Sequence, residues 1–227
     1  MADKDQPTEL GLPIPGLYML YGLQGGGKSH MIRYIAYDNR KKFDCVLAFS
    51  NTGFVDGNLD FIDPRFVHRE YNEAALQKFK NKFEAAIAEG KKPCGLVIFD
   101  DCVTGKQWRS PVLTSLITQV RHYNITVVIS TQWPKAILPV YRDNAFKVFM
   151  FHMSGKLAIN ALYENHGQML DTFEMWKKFF IEATSEKYMA LVYDPRNGGR
   201  TLDERYECIT APRDIPKFTL RHGHSGK

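Results

Sequence analysis

Long apolar runs, paired cysteines and internal repeats are all missing from this sequence. None of its 227 residues belong to a stretch approaching the roughly 18 consecutive apolar residues of a membrane-spanning helix. The opening MADKDQPTEL is too polar for a secretory leader, so a membrane is not an expected partner. Only four cysteines occur, Cys45, Cys94, Cys102 and Cys208, with no CxxC pair. That argues against a disulfide framework or a zinc site. Two of them flank a strongly apolar run, as reduced, partly buried thiols of a reducing compartment would, and use in the cytoplasm or nucleus is expected. Charge of one sign is not in large excess either: 30 Lys+Arg against 25 Asp+Glu leave a net +5. This mild basicity permits a polyanionic partner without requiring one.

What is present is ordinary globular material, 44% hydrophobic and 24% charged, enough for one sizeable core. Residues 1–16 are polar and then proline-rich, and read as a flexible arm. After them short apolar runs alternate with longer amphipathic ones. Strands are expected at LYMLY (17–21), CVLAFS (45–50), GLVIFDD (95–101), ITVVIST (125–131) and KVFMFHM (147–153). Helices are expected from Lys28 to about Arg40, over 72–90, and through SPVLTSLITQVRHY from the Ser110–Pro111 start. This rhythm predicts an α/β fold, a mostly parallel sheet with helices on both faces. Beyond residue 155 the rhythm loosens. Asp171 and Glu174 stand in capping-box spacing ahead of a helix, and YMALVYD followed by PRNGG and RYECIT reads as a hairpin. The expected organisation is therefore a domain over 17–210, with a core of 17–155 and a helix-plus-hairpin extension of 156–210, and a basic tail of 211–227.

Chemistry enters at GLQGGGKS, which fits G-x-x-x-x-G-K-[ST] through Gly22, Gly27, Lys28 and Ser29. It follows a strand and precedes a helix, the context a phosphate-binding loop requires. Bare backbone lets successive N–H groups turn toward phosphate oxygens, and the helix start adds partial positive charge. Gln24, Gly25, Gly26 and His30 complete the expected nucleotide contacts. Lys28 would hold the β- and γ-phosphates of ATP, and Ser29 would ligate Mg²⁺. LVIFDD ends a neighbouring strand in two carboxylates: Asp100 suits the Mg²⁺ site, while Asp101 suits either the base for the attacking water or a supporting role behind it. Gln132, at the end of ISTQWP, is a candidate γ-phosphate sensor.

The order GLQGGGKS, LVIFDD, QVRHYNITVVISTQWP resembles the FtsK–HerA superfamily of DNA-pumping P-loop ATPases over residues 15–155. The stretch RHYNITVVISTQ is most similar to its viral branch, the genome-packaging ATPases of poxvirus-like large DNA viruses, virophages and their transposon relatives. The resemblance implies a ring of five or six copies that hydrolyses ATP to drive double-stranded DNA into a preformed capsid, docked at the capsid or a portal vertex. It places the protein at sites of virion assembly in the host cytoplasm or nucleus, or with the virion. Gly22 to Ser29, Asp100, Asp101 and Gln132 match that family's nucleotide and sensor positions. Arg121 matches the arginine expected to reach a neighbouring subunit's nucleotide; the competing reading of the residue is a cation placed against the dipole at a helix end. Arg142 is the alternative finger. Two departures stand out: the second acidic position is Asp101 and not Glu, and the chain after residue 155 matches no part of the pattern.

Loops at the strand ends are the expected DNA contacts. TGKQWRS offers Lys106, Trp108 and Arg109, and WPK offers Trp133 and Lys135, cations able to grip phosphates without reading sequence. Other readings of the same glycine loop are an ATP-gated oligomeric interaction module, a ring helicase, a phage-assembly ATPase or a small-molecule kinase.

Overall fold

Apolar runs without a polar face are satisfied only between two layers, and here they form the middle of one sheet. The computed structural model describes residues 10–53 and 57–220. Residues 1–9 of the expected arm and 221–227 of the expected tail lie outside the described residues. Strands β1 (Leu17–Tyr21), β2 (Cys45–Ser50), β3 (Val67–His68), β4 (Gly95–Asp100), β5 (Ile125–Thr131) and β6 (Lys147–Phe151) run parallel in the order β3-β2-β4-β5-β1-β6. β1, β2, β4 and β5 are buried at every position. Two further strands, β7 (Met189–Tyr193) and β8 (Tyr206–Thr210), continue the sheet antiparallel beyond β6. The expected hairpin is thus present, and the region after residue 155 extends the sheet.

Register aligns the polar ends of the strands. Ser50 pairs with Asp100, and Asp100 with Ser130, while Tyr21 pairs with Thr131. The carboxyl ends of β2, β4, β5 and β1 therefore finish in one row.

The helices are α1 (Lys28–Asp38), α2 (Glu73–Ala88), α3 (Pro111–Thr118), α4 (Val120–Tyr123), α5 (Pro139–Asp143), α6 (Lys156–His166), α7 (Phe173–Ala183) and α8 (Leu202–Arg205). Asn72, Ser110 and Thr172 cap α2, α3 and α7, each side chain accepting a backbone N–H. The cap of α7 is Thr172, not Asp171, which shifts the expected start by one residue. The single helix expected over 110–123 breaks at Gln119. Thr118 lies at the break: its hydroxyl donates to the carbonyl of Thr114 at 2.8 Å, a local bond that competes with the helical ladder. In the extension, Trp176 is fully buried, with its indole N–H donating to Ile159 O at 3.3 Å. It lies so close to Gly167 that a Cβ there would come within 2.6 Å of the ring.

Two segments expected to be free are packed. Leu12 of the proline-rich stretch is buried, and the Leu10 N–H donates to Asp38 Oδ2. At the other end, residues 211–220 cross α1 as a strap. Phe218 stacks on Phe61 (4.9 Å between centroids) and meets Tyr37 edge-on (5.4 Å). Leu220 is buried and its N–H donates to Phe61 O. Apolar side chains in both segments explain the difference, since each finds a surface to cover. Among the described residues, no helix is long and apolar enough to cross a membrane.

Candidate nucleotide-binding site

The glycine loop leaves the carboxyl end of β1 and turns directly into α1. Gly25 and Gly27 hold φ of +73° and +112°, conformations that L side chains rarely adopt. Gly22 answers a different demand: a Cβ there would lie 2.8 Å from Phe151 Cβ, so only bare backbone lets the loop lie on β6. Helix α1 begins with no side-chain cap and no acidic residue in its first turn, unlike α2, α3 and α7. Its leading N–H groups are thereby left for an anion.

Lys28 is 5% exposed, and its ammonium donates to the carbonyls of Gly22 (2.8 Å) and Leu23 (3.2 Å). It also pairs with Asp101 Oδ2 at 3.2 Å. Asp101 sits at φ +48°, a left-handed position that Asp and Asn occupy far more readily than Glu. Its carboxylate also accepts from the backbone N–H of Gln132 at 3.1 Å and, more loosely, from the Gln132 amide at 3.4 Å. Asp100 is buried in the polar row set by the strand register, accepting hydroxyl bonds from Ser130 and, at 3.4 Å, Ser50. Burial holds its carboxyl above the usual carboxylate range, against the pull of the Ser130 hydrogen bond. Sequence reasoning passed over Ser50 and Ser130, although Ser50 is the lone polar residue of its strand and Ser130 belongs to the Ser-Thr pair that ends β5.

The loop and the strand-end acids line one cavity of about 970 Å³, while Gly22, Ser50 and Ser130 lie outside its lining. Leu23, Gln24, Gly25, Gly27, Lys28, Ser29 and His30 of the loop and first helical turn line it, with Asp100, Asp101 and Gln132 from the strand ends. The extension and strap contribute Lys187, Tyr188 and Arg213 among others to the same lining. His30 Nε2 lies 2.6 Å from Pro212 O, joining α1 to that strap. Ser29 and Asp100 offer hard oxygen donors to a divalent cation. A Mg²⁺ ion fits such a sparse set because it usually takes one or two protein ligands and keeps its remaining positions for water and phosphate.

Other expected residues lie elsewhere. Lys106, Arg109 and Lys135 are exposed, on the short helical turns after Asp101 and Gln132. Trp133 beside them is 72% exposed. The expectation for Trp108 is corrected: it is 3% exposed, packed at 6.0 Å from the Tyr141 ring, and its own carbonyl accepts the Tyr141 hydroxyl. An indole used as core cannot also lie against DNA. Arg121, on α4, stands before β5 and so at the amino ends of the strands, across the sheet from the loop. Its guanidinium lies 4.9 Å from the Phe146 centroid, and that of Arg196 lies 3.4 Å from the same centroid. Arg142 donates to Ile137 O at 2.6 Å and does not line the cavity.

A phosphate loop on β1, an acidic tip on the second strand away and an antiparallel pair closing one side define a P-loop NTPase fold. No protein-family model matches the chain. The solved genome packaging NTPase B204 from Sulfolobus turreted icosahedral virus 2, in complex with ATP-gammaS, shares this fold. It has a TM-score of 0.62 at 16% identity, covering 88% of this chain and 99% of that one. In sequence, the chain is 29% identical over 196 residues to uncharacterized protein 075L of Invertebrate iridescent virus 6, covering 84% of this chain and 74% of that protein. It is 25% identical over 203 residues to uncharacterized protein L437 of Acanthamoeba polyphaga mimivirus, covering 84% and 70% respectively.

Proposed function

We propose that this chain is an ATP-hydrolysing motor that moves double-stranded DNA into a viral capsid, working as a ring of copies. The observation that carries the reading is the convergence of Lys28, Asp101 and Gln132 beside a buried Asp100 at the end of a glycine loop. The fold shared with a viral packaging NTPase and the sequence likeness to proteins of large DNA viruses support the viral setting.

In this reading the loop N–H groups cradle the phosphates and Lys28 exchanges its carbonyl partners for the β- and γ-phosphate oxygens. Ser29 and Asp100 would hold Mg²⁺, which when bound neutralises charge on those oxygens. Asp101, released from Lys28 as the ammonium turns to phosphate, orients the attacking water and accepts its proton. Gln132, already bonded to Asp101, senses the γ-phosphate and passes its loss to the loop bearing Trp133 and Lys135. Arg121 is too far from its own loop to serve it, since five strand residues span about 16 Å. It would serve a neighbouring copy, making turnover depend on assembly. Lys106, Arg109 and Lys135 grip DNA phosphates, and the ring docks at the capsid vertex, at assembly sites in the host cytoplasm or nucleus.

Steady-state turnover measured with and without linear double-stranded DNA tests this. DNA should raise the rate, with no unwinding of a labelled duplex, and Lys28→Ala should abolish both basal and stimulated turnover. A Lys28→Ala protein with wild-type nucleotide affinity and rate would overturn the nucleotide site, and turnover indifferent to DNA would overturn the motor.

A further inference from the structure

Part of the cavity's lining, Glu186, Lys187, Tyr188, Thr210, Ala211 and Arg213, comes from the stretch of chain beyond the parallel core. We propose that the ring of Tyr188 is the platform on which the nucleobase of the bound nucleoside triphosphate stacks, so that the C-terminal extension supplies affinity for the base. This rests on the nucleotide site at the glycine loop and adds the residue that holds the other end of the ligand.

The direction of the ligand is set by the loop. Asp101 and Gln132 mark the γ-phosphate end, and Lys28 the β- and γ-oxygens. Ser29 and His30 come next on the first turn of α1, so the α-phosphate and the nucleoside attached to it point toward His30. His30 is bonded to Pro212 O. A nucleoside leaving the loop there meets the wall of Glu186, Lys187, Tyr188, Thr210, Ala211 and Arg213.

On that wall Tyr188 has the features of a platform. Its ring lies against the loop itself: a Cβ at Gly27 would sit 3.3 Å from Tyr188 Cδ1. It is 40% exposed and lines the cavity just ahead of β7, a strand that is itself largely buried. Its φ of +69° is a conformation that a bulky aromatic rarely takes, a local cost of the kind found at ligand clamps. Lys187 Nζ lies 4.8 Å from the ring centroid, and Arg213 lines the same cavity, so cations are at hand for the α-phosphate and ribose. A π-face accepts any base, so this contact separates nucleotides from base-less polyphosphates more than one nucleotide from another.

Binding of a non-hydrolysable ATP analogue and of inorganic tripolyphosphate, each with Mg²⁺, is measured on the full chain. Tyr188→Leu should weaken the analogue by about 5- to 150-fold, the range that base–aromatic stacking contributes, and leave tripolyphosphate unchanged. Tyr188→Phe should keep wild-type affinity for both. In a Tyr188→Trp protein, the analogue but not tripolyphosphate should quench the added fluorescence, a readout that does not depend on the leucine variant folding. Equal losses for both ligands in Tyr188→Leu, no loss for either, or wild-type protein binding both equally tightly would each overturn the platform. Lys28→Ala separates the two levels: it should weaken both ligands, and its failure to do so would count against the nucleotide site and not against Tyr188 in particular.

Discussion

Asp100 is held at a cost. A carboxyl buried between two serines and pushed above its ordinary range destabilises the fold whenever it is ionised. Asp100→Asn keeps the hydroxyl bonds possible and removes the charge. The variant should melt at the same or a higher temperature while losing Mg²⁺-dependent turnover; a protein that is both inactive and markedly less stable would show that the position serves packing. His166 bears a cost of the opposite kind. It is 5% exposed among Tyr21 and Tyr193, and burial pushes its imidazole down to about 3. Because the folded value lies below the unfolded one, its contribution is intact above the ordinary histidine range and is lost as pH falls from about 6.5 toward 3. Between pH 7.5 and 5 that is a loss of about 2 kcal/mol. Urea midpoints of a His166→Phe protein should fall correspondingly less over that interval, and equal falls in the two proteins would remove the assignment. Asp101 settles a departure seen in the motif: its left-handed backbone explains why the shorter acid stands where Glu was expected.

Elements differ in how much of themselves the sequence displays. β1, β2 and β5 were legible to the residue, because continuous apolar runs between polar punctuation leave one reading. The row of Lys28, Asp100, Asp101 and Gln132 was legible too, since Lys28 closes the glycine loop and the other three stand at or just beyond a strand end. Helix α6 was not, as its apolar residues are diluted by Lys156, Asn160 and Glu164 on a solvated face. Nor was the C-terminal part of the cavity lining, whose residues stand far from the loop along the chain and reach it through the β7–β8 pairing and the strap. The strap was hidden for a related reason: the charges and prolines of PRDIPK obscured Ile215, Phe218 and Leu220. Phe218→Ala should cost about 2 kcal/mol, part of the loss seen for fully buried aromatics, and should speed amide exchange in α1 and in 211–220. Wild-type stability and exchange would show the strap to be ornamental.

At the scale of the whole molecule, activity is predicted to belong to the assembly. Arg121 lies across the sheet from its own loop, so Arg121→Ala should retain nucleotide binding and lose turnover by about 10³-fold or more. Mixing it with Lys28→Ala should restore part of the rate, since neighbouring copies would then contribute intact halves; no recovery at any ratio would return Arg121 to a structural cation beside Phe146. The DNA response should also fall steeply between low and physiological salt, because a modest +5 acts through a few phosphate contacts that release counterions.

The arm and the strap both land on the last turn of α1, Leu10 on Asp38 and Phe218 on Tyr37. Both ends of the described chain are thus tied to one helix turn, so a peptide joining residue 220 to residue 10 would link two segments that already share a support. New ends could then be opened in the turn between β7 and β8, giving a circular permutant in which the arm and the strap are one continuous segment.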